Sequence, residues 1–204
     1  MTIIFDFDGT IADSFAVVVA IIHELTNRSE LVTPEEIVKL RHMRLLDVAK
    51  AQKVPKWRIP FLLLRGRRMM AKKLNEVKVF GGMADTIKWA HADGHQLFIM
   101  SSNSTSNVQE FLHQHKLGKY FVKVYGGVGL LSKAKALRRI LKVNQLDANS
   151  TIYIGDEPRD IQACAEVGIK CIAVTWGFNA EQLLKNHKPY ALARTPEQLL
   201  SLLQ

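Results

Sequence analysis

The spacing of hydrophobic positions changes character twice along the chain. Residues 2–7 form a short apolar run broken by Asp6, Asp8 and Gly9, the pattern of a buried strand running into a loop. Between residues 13 and 75 the apolar positions recur at helical intervals, which predicts helices near 13–27, 34–42, 44–53 and 57–75. Thr33-Pro34-Glu35-Glu36 marks one start clearly, with Thr as N-cap, Pro at the first helical position and acids in the first turn. Asp13 is expected to cap the first of these helices. Gly81-Gly82 then forms a joint, and helix alternates with strand beyond it. Helices are predicted over 84–93, 105–115, 133–143 and 159–167, and strands over 96–100, 121–125, 151–154 and 169–174. The strand cores are continuously apolar, as a sheet covered on both faces requires. Alternation of this kind demands right-handed crossovers and a mostly parallel sheet. The expected fold is therefore a doubly wound α/β core, residues 1–12 and 81–204, with an all-helical cap of residues 13–80 inserted after the first strand.

Composition adds three constraints. Hydrophobic residues make up 48% of the 204 positions and charged residues 23%, enough to bury an ordinary globular core. Cys164 and Cys171 show no metal-ligand spacing and read as reduced, partly buried thiols of a reducing compartment. No basic leader precedes the first apolar run, and the run at 15–22 is far shorter than the ~20 residues of a membrane span. A cytoplasmic protein is expected, with no membrane partner. The net charge of +9 is concentrated in the predicted cap, which carries 14 Lys and Arg against 7 Asp and Glu. A basic balance suits an anionic small substrate, a membrane surface or nucleic acid. No aromatic-interleaved basic motif favours the last of these.

In a doubly wound sheet the ligand site lies beyond the carboxyl ends of the strands. The first strand brings Asp6 and Asp8 there, and the second brings Ser101, Ser102 and Asn103. Lys133 opens the helix after the third strand, and the fourth ends in Gly155-Asp156-Glu157 with Asp160 just beyond. Five carboxylates around one lysine repel each other unless a cation joins them. A hard dication with oxygen ligands, Mg2+, fits a site that also handles phosphate. Asp6 is suited to be both ligand and nucleophile. Asp8, two residues on, can protonate a leaving oxygen and later deprotonate water. Ser101 by its hydroxyl, Ser102 by its amide and Lys133 by its charge can hold phosphoryl oxygens. Asp156 is the expected direct metal ligand besides Asp6 and Asp8, with Glu157 and Asp160 as outer partners. Lys135 competes with Lys133, and Glu157 suits a first-turn helix acid equally well.

Asp6-Phe7-Asp8-Gly9-Thr10 resembles the first motif of the haloacid dehalogenase superfamily. Gly94 with Ser101 seven residues later is similar to the second motif, Lys133 to the third, and Gly155-Asp156-Glu157-Pro158-Arg159-Asp160 to the fourth. Val174-Thr175-Trp176-Gly177-Phe178 looks like the ending of phosphoglycolate-phosphatase-like members, and the helical insert resembles the family's first cap type. The Gly94 spacing favours Ser101 over Ser102 as the second-motif hydroxyl. Phe80 departs from the proline that relatives often place at the cap's return. The resemblance implies a Mg2+-dependent phosphohydrolase acting through a phosphoaspartate on Asp6. Members that break carbon–halogen or carbon–phosphorus bonds lack an acid where Asp8 stands, so phosphate-ester cleavage is expected.

Two rival enzymes use the same core: a phosphomutase resembling beta-phosphoglucomutase, which returns the phosphoryl group to sugar, and a nucleotide phosphatase. A small anionic phosphorylated substrate is expected in each case. Five cations at Arg65, Arg67, Arg68, Lys72 and Lys73 lie on one predicted cap helix. They read as a solvated face, or as a face from which Arg67 and Arg68 anchor a remote anion of the substrate.

Overall fold

The computed structural model describes residues 1–25, 33–43, 47, 50, 54–129 and 132–204. Its centre is a six-stranded parallel sheet: β1 (Thr2–Phe5), β4 (Gln96–Met100), β5 (Lys123–Tyr125), β6 (Thr151–Gly155), β7 (Lys170–Val174) and β8 (Ala191–Ala193). The strand order β5-β4-β1-β6-β7-β8 puts β1 in the middle, and the chain winds outward from it in both directions. Ile3 pairs with Leu97 on one side and Ile152 on the other, so every residue of β1 is buried on both edges.

The two faces of the sheet build two apolar clusters. Ile3, Phe5, Leu97, Ile99, Ile154 and Val174 pack beneath α4 (Met83–Ala92), α5 (Thr105–Gln114) and α9 (Pro196–Leu203). Ile4, Phe98, Tyr153 and Cys171 pack beneath α6 (Lys133–Val143), α7 (Pro158–Val167) and α8 (Glu181–Lys185). Each fully buried aliphatic or aromatic side chain in these layers contributes roughly 1.5–3 kcal/mol. Cys164 and Cys171 are both free and buried within the second cluster.

Most predicted elements appear within two residues of their expected ends. The strand at 96–100 and the helix at 133–143 coincide with β4 and α6. The strand expected over 121–125 begins two residues later, after a 3-10 turn at Gly118–Tyr120. In the inserted region α1 (Phe15–Leu25), α2 (Pro34–Arg41) and α3 (Ile59–Lys72) are present, and the Thr33 cap with its Glu36 partner forms as expected. The helix expected over 44–53 falls largely outside the described residues.

A small hairpin joins insert to core. β2 (Ala12–Asp13) pairs antiparallel with β3 (Lys78–Val79), and the Phe80 amide donates to the Ile11 carbonyl at 3.0 Å. The chain thus leaves and re-enters the core through one paired gate. Asp13 is a strand residue rather than a cap, and Ser14 takes the position before α1. The Ser14 hydroxyl is directed not into the helix but to Asp8.

Candidate active site

β1 ends at Phe5, and the Asp6 amide still donates to the Ile154 carbonyl at 2.8 Å, which fixes Asp6 at the sheet's carboxyl edge. Its Oδ1 accepts from the Phe7 amide at 2.7 Å and its Oδ2 from Lys133 Nζ at 2.5 Å. The loop then folds tightly. The amides of Thr10, Ile11 and Ala12 all donate to the Phe7 carbonyl, and Gly9 adopts φ +78°. A β-carbon on Gly9 would stand 2.1 Å from Asp156 Oδ2, so only glycine fits there. Gly177 is held the same way, with 2.2 Å between its notional β-carbon and the Gly9 carbonyl oxygen.

Asp8 is braced from two sides. Ser14 donates to its Oδ1 at 2.8 Å and the Asn103 amide group to its Oδ2 at 3.2 Å. Burial pushes its pKa up to about 6, with Asp6 adding to the rise and the Ser14 and Asn103 hydrogen bonds working against it. Asn103 is itself held by Asn107, whose side-chain nitrogen donates to Asn103 Oδ1 at 2.9 Å. Asn103 stands where its place at the end of the strand puts it, at the rim, whereas Asn107, in the first turn of α5, carries no motif that marks it.

Ser101 is completely buried, and its hydroxyl accepts from the Asn103 amide at 2.9 Å. Ser102 instead lines the cavity above Asp6. Lys133, also buried, forms ion pairs with Asp6 and Asp160, and its ammonium lies 5.8 Å from the Tyr153 ring centre. Burial and Arg159 oppose its charge, but Asp160, Asp6 and Glu157 prevail and raise its pKa above the ordinary lysine range. Lys135 is exposed.

The carboxylates divide into two groups. Oxygens of Asp6, Glu157 and Asp160 lie within 4.8 Å of one another. Asp160 also receives the Glu157 amide at 3.0 Å at the start of α7, and Glu157 pairs with Arg159. Asp156 stands slightly apart: Thr10 Oγ1 donates to its Oδ1 at 2.9 Å and the Phe178 amide to its Oδ2 at 2.7 Å. Burial, followed by Glu157, Asp6 and Asp160, raises its pKa. Each carboxylate oxygen has a second lone pair, so these two bonds orient Asp156 without exhausting it as an acceptor. The whole set is oxygen-only and buried except for the half-buried Asp8, and among the described residues its five acids face the cations Lys133 and Arg159. Such an excess of negative charge is compatible with a divalent cation.

A cavity of about 260 Å³ rises from Asp6 and Asp8 into the inserted helices. Two clasps close those helices over the core. Arg41, at the end of α2, donates from Nη2 to the carbonyls of Thr175 (3.1 Å) and Gly177 (2.9 Å), and its own carbonyl accepts from the Ala180 amide at 2.8 Å. Arg67 in α3 donates from Nε to the Ser102 carbonyl at 2.8 Å, while Asn107 donates back to the Arg67 carbonyl at 2.9 Å. Arg68 is exposed and lies off the cavity. Arg159, inside the fourth motif but given no role from sequence, also lines the cavity; its Nε and Nη1 are buried without a hydrogen-bond partner among the described residues.

Comparison with known proteins decides the family. The family model of haloacid dehalogenase-like hydrolases matches residues 3–174, the α/β core through β7 together with the insert. The chain belongs to this family. A phosphoglycolate phosphatase from Synechococcus elongatus is 34% identical over 200 residues, covering 97% of this chain and 94% of that protein. A haloacid dehalogenase-like hydrolase from Streptococcus pneumoniae superposes with TM-score 0.80 at 24% identity, covering 100% of this chain and 98% of the other. A predicted phosphatase from Clostridium acetobutylicum gives 0.84 at 22% identity, with 98% and 96% covered. This haloacid dehalogenase-like chain is accordingly a phosphatase with the family's α/β fold. Among its described residues, no helix is long and apolar enough to cross a membrane.

Proposed function

We propose that this chain is a Mg2+-dependent phosphatase that hydrolyses small phosphate monoesters through a phosphoaspartate on Asp6. The observation that carries the reading is the pairing of two different acids at the end of β1. Asp6 is ion-paired to Lys133 at 2.5 Å, which keeps a carboxylate available for attack. Asp8 is half-buried, oriented by Ser14 and Asn103, and its pKa is pushed up to about 6, which suits a group that must hold a proton near neutrality.

An Asp6 oxygen attacks phosphorus, and the bond from phosphorus to the ester oxygen breaks. Asp8 gives its proton to the departing alkoxide. It then takes a proton from water, which attacks the phosphoaspartate, releases inorganic phosphate and returns Asp6 to its carboxylate form. Lys133 stays protonated throughout and offsets charge on the phosphoryl oxygens, with Ser101 and Ser102 as neighbouring donors. Asp6 and Asp156 by their carboxylates and Asp8 by its backbone carbonyl would hold Mg2+, with Glu157 and Asp160 adding nearby negative charge, and the bound ion would neutralise phosphoryl charge. Thr10 and Phe178 orient Asp156 for that role. The β2–β3 pairing, where the chain leaves and re-enters the core, supports domain limits near 12/13 and 80/81, and the inserted helices serve as the cap that excludes water.

Purified protein with Mg2+ should release inorganic phosphate from 4-nitrophenyl phosphate and from 2-phosphoglycolate, with no bisphosphate activator present. EDTA should abolish release and added Mg2+ restore it. A rate indifferent to EDTA overturns the metal assignment. Dependence on a bisphosphate favours the mutase alternative.

The two clasps predict a contrast within the basic helix. Arg67→Ala removes a charge-assisted bond from cap to core and should lower kcat/KM about tenfold, as the loss of ~1.5 kcal/mol implies. Arg68→Ala, at an exposed position, should stay within about twofold. Saturation kinetics of both variants on one monoester decide it, and equal effects would place Arg67 on the solvated face instead.

A further inference from the structure

We infer that the alcohol half of the natural substrate carries an apolar body that fills the inserted-helix end of the cavity, so that the enzyme favours alkyl- or aryl-type phosphate monoesters with an extended apolar chain. The inference rests on the phosphatase reading and specifies its substrate class.

The cavity is chemically divided along its length. Its polar lining lies at the core end, around Asp6, Asp8, Ser102, Asn103 and Glu157. Further in, between α1 and α3, the walls are Val18, Ile22 and Leu25 on one side and Leu62, Leu63 and Gly66 on the other. Two cations line it among the described residues, and both stand at the polar end, where Arg159 keeps Nε and Nη1 buried without a hydrogen-bond partner among the described residues. Arg67 Nε is bonded to the Ser102 carbonyl, and Arg159 is paired with Glu157. A phosphoryl group held over Asp6 therefore directs its ester oxygen and carbon chain into an aliphatic sleeve. A carboxylate carried into that sleeve would be stripped of water and meet no donor among the described residues. An alkyl chain would instead gain the ordinary hydrophobic return, about fourfold in affinity for each methylene buried. The volume of about 260 Å³ equals the liquid share of roughly nine waters, more than a phosphoryl group fills.

Gly66 is the point at which the sleeve can be narrowed. A β-carbon there would meet Leu25 Cδ1 at 3.7 Å and Ile21 Cγ2 at 3.8 Å, both ordinary contacts, so the helix accepts a side chain whose outer atoms must enter the cavity. Replacing a mid-helix glycine also favours α3 itself.

The test measures kcat/KM with Mg2+ for ethyl, butyl and hexyl phosphate, whose leaving alcohols have nearly equal acidity, and for 2-phosphoglycolate. The expected result is a rise of at least tenfold from ethyl to hexyl phosphate. In Gly66→Leu the hexyl-to-ethyl ratio should fall to within about twofold of one, and residual ethyl phosphate turnover reports that the variant is folded. A flat or falling series in the wild type overturns the inference. That result leaves the phosphatase reading intact. Failure to release phosphate from any of the four esters removes both. The wild-type series decides the matter even if Gly66→Leu proves unstable.

Discussion

Asp6→Asn should reduce turnover by about 10⁴-fold or more, as loss of a nucleophile does elsewhere, while the protein stays folded. The amide copies the carboxylate's shape. Its oxygen can still accept from the Phe7 amide, which donates to Asp6 at 2.7 Å, or from Lys133. What disappears is the negative oxygen that must bond to phosphorus. Stability should change little, because two effects oppose each other. Lys133 loses one of its two charged partners but keeps Asp160, and the crowd of buried acids around it loses one member. Steady-state rates on an activated aryl phosphate, read beside thermal unfolding, separate the cases. Turnover within about tenfold of wild type would mean that the phosphoryl group is not passed through Asp6.

Much of this arrangement is legible in the sequence, for reasons that can be located in particular residues. Parallel strands buried on both faces read as unbroken apolar runs, and Leu97–Met100 and Ile152–Ile154 are such runs, so the core and its rim were placed correctly. Asp6, Asp8, Lys133 and Asp160 then follow from the rule that sites form at strand ends, and the structure does bring them together. The β2–β3 gate was missed because two-residue strands are too short to show any alternation. Beyond Val174 no elements were read, although Thr195-Pro196-Glu197 carries the cap signal that starts α9. The brace on Asp156 and the Arg41 clasp could not be foreseen. Apart from the Thr10 hydroxyl on Asp156, their partners are amides and carbonyls up to 136 positions away, and a backbone group leaves no mark in the sequence. Arg67 and Arg68 looked equivalent in sequence, since adjacent residues of a helix are separated only by about 100° of rotation. That rotation aims one at Ser102 and leaves the other in solvent.

Lys133→Met should be damaging in two separable ways. The ammonium is 3% exposed and is ion-paired to both Asp6 and Asp160, so its removal strands two buried carboxylates. Breaking a buried pair by deleting one partner costs about 3–5 kcal/mol. For a domain of this size that corresponds to a fall in Tm of roughly 6–20 °C. Turnover should drop by about 10²–10³-fold, the usual effect of losing one preorganised charge at a phosphoryl or oxyanion site. Only the first loss should respond to Mg2+. A dication binding among Asp6, Asp156, Glu157 and Asp160 returns positive charge to the stranded carboxylates, so added Mg2+ should raise the Tm of the variant more than that of wild type. It should not restore the rate, because the missing charge belonged to a different point beside the phosphoryl group. Lys135→Met, two residues on in the same helix but exposed, should shift stability by less than about 0.5 kcal/mol and leave turnover unchanged. Thermal unfolding of both variants in EDTA and in Mg2+, with phosphate release measured on the same samples, carries the comparison. A Lys133→Met protein as stable as wild type in EDTA would mean that the buried acids are neutralised by something other than this lysine.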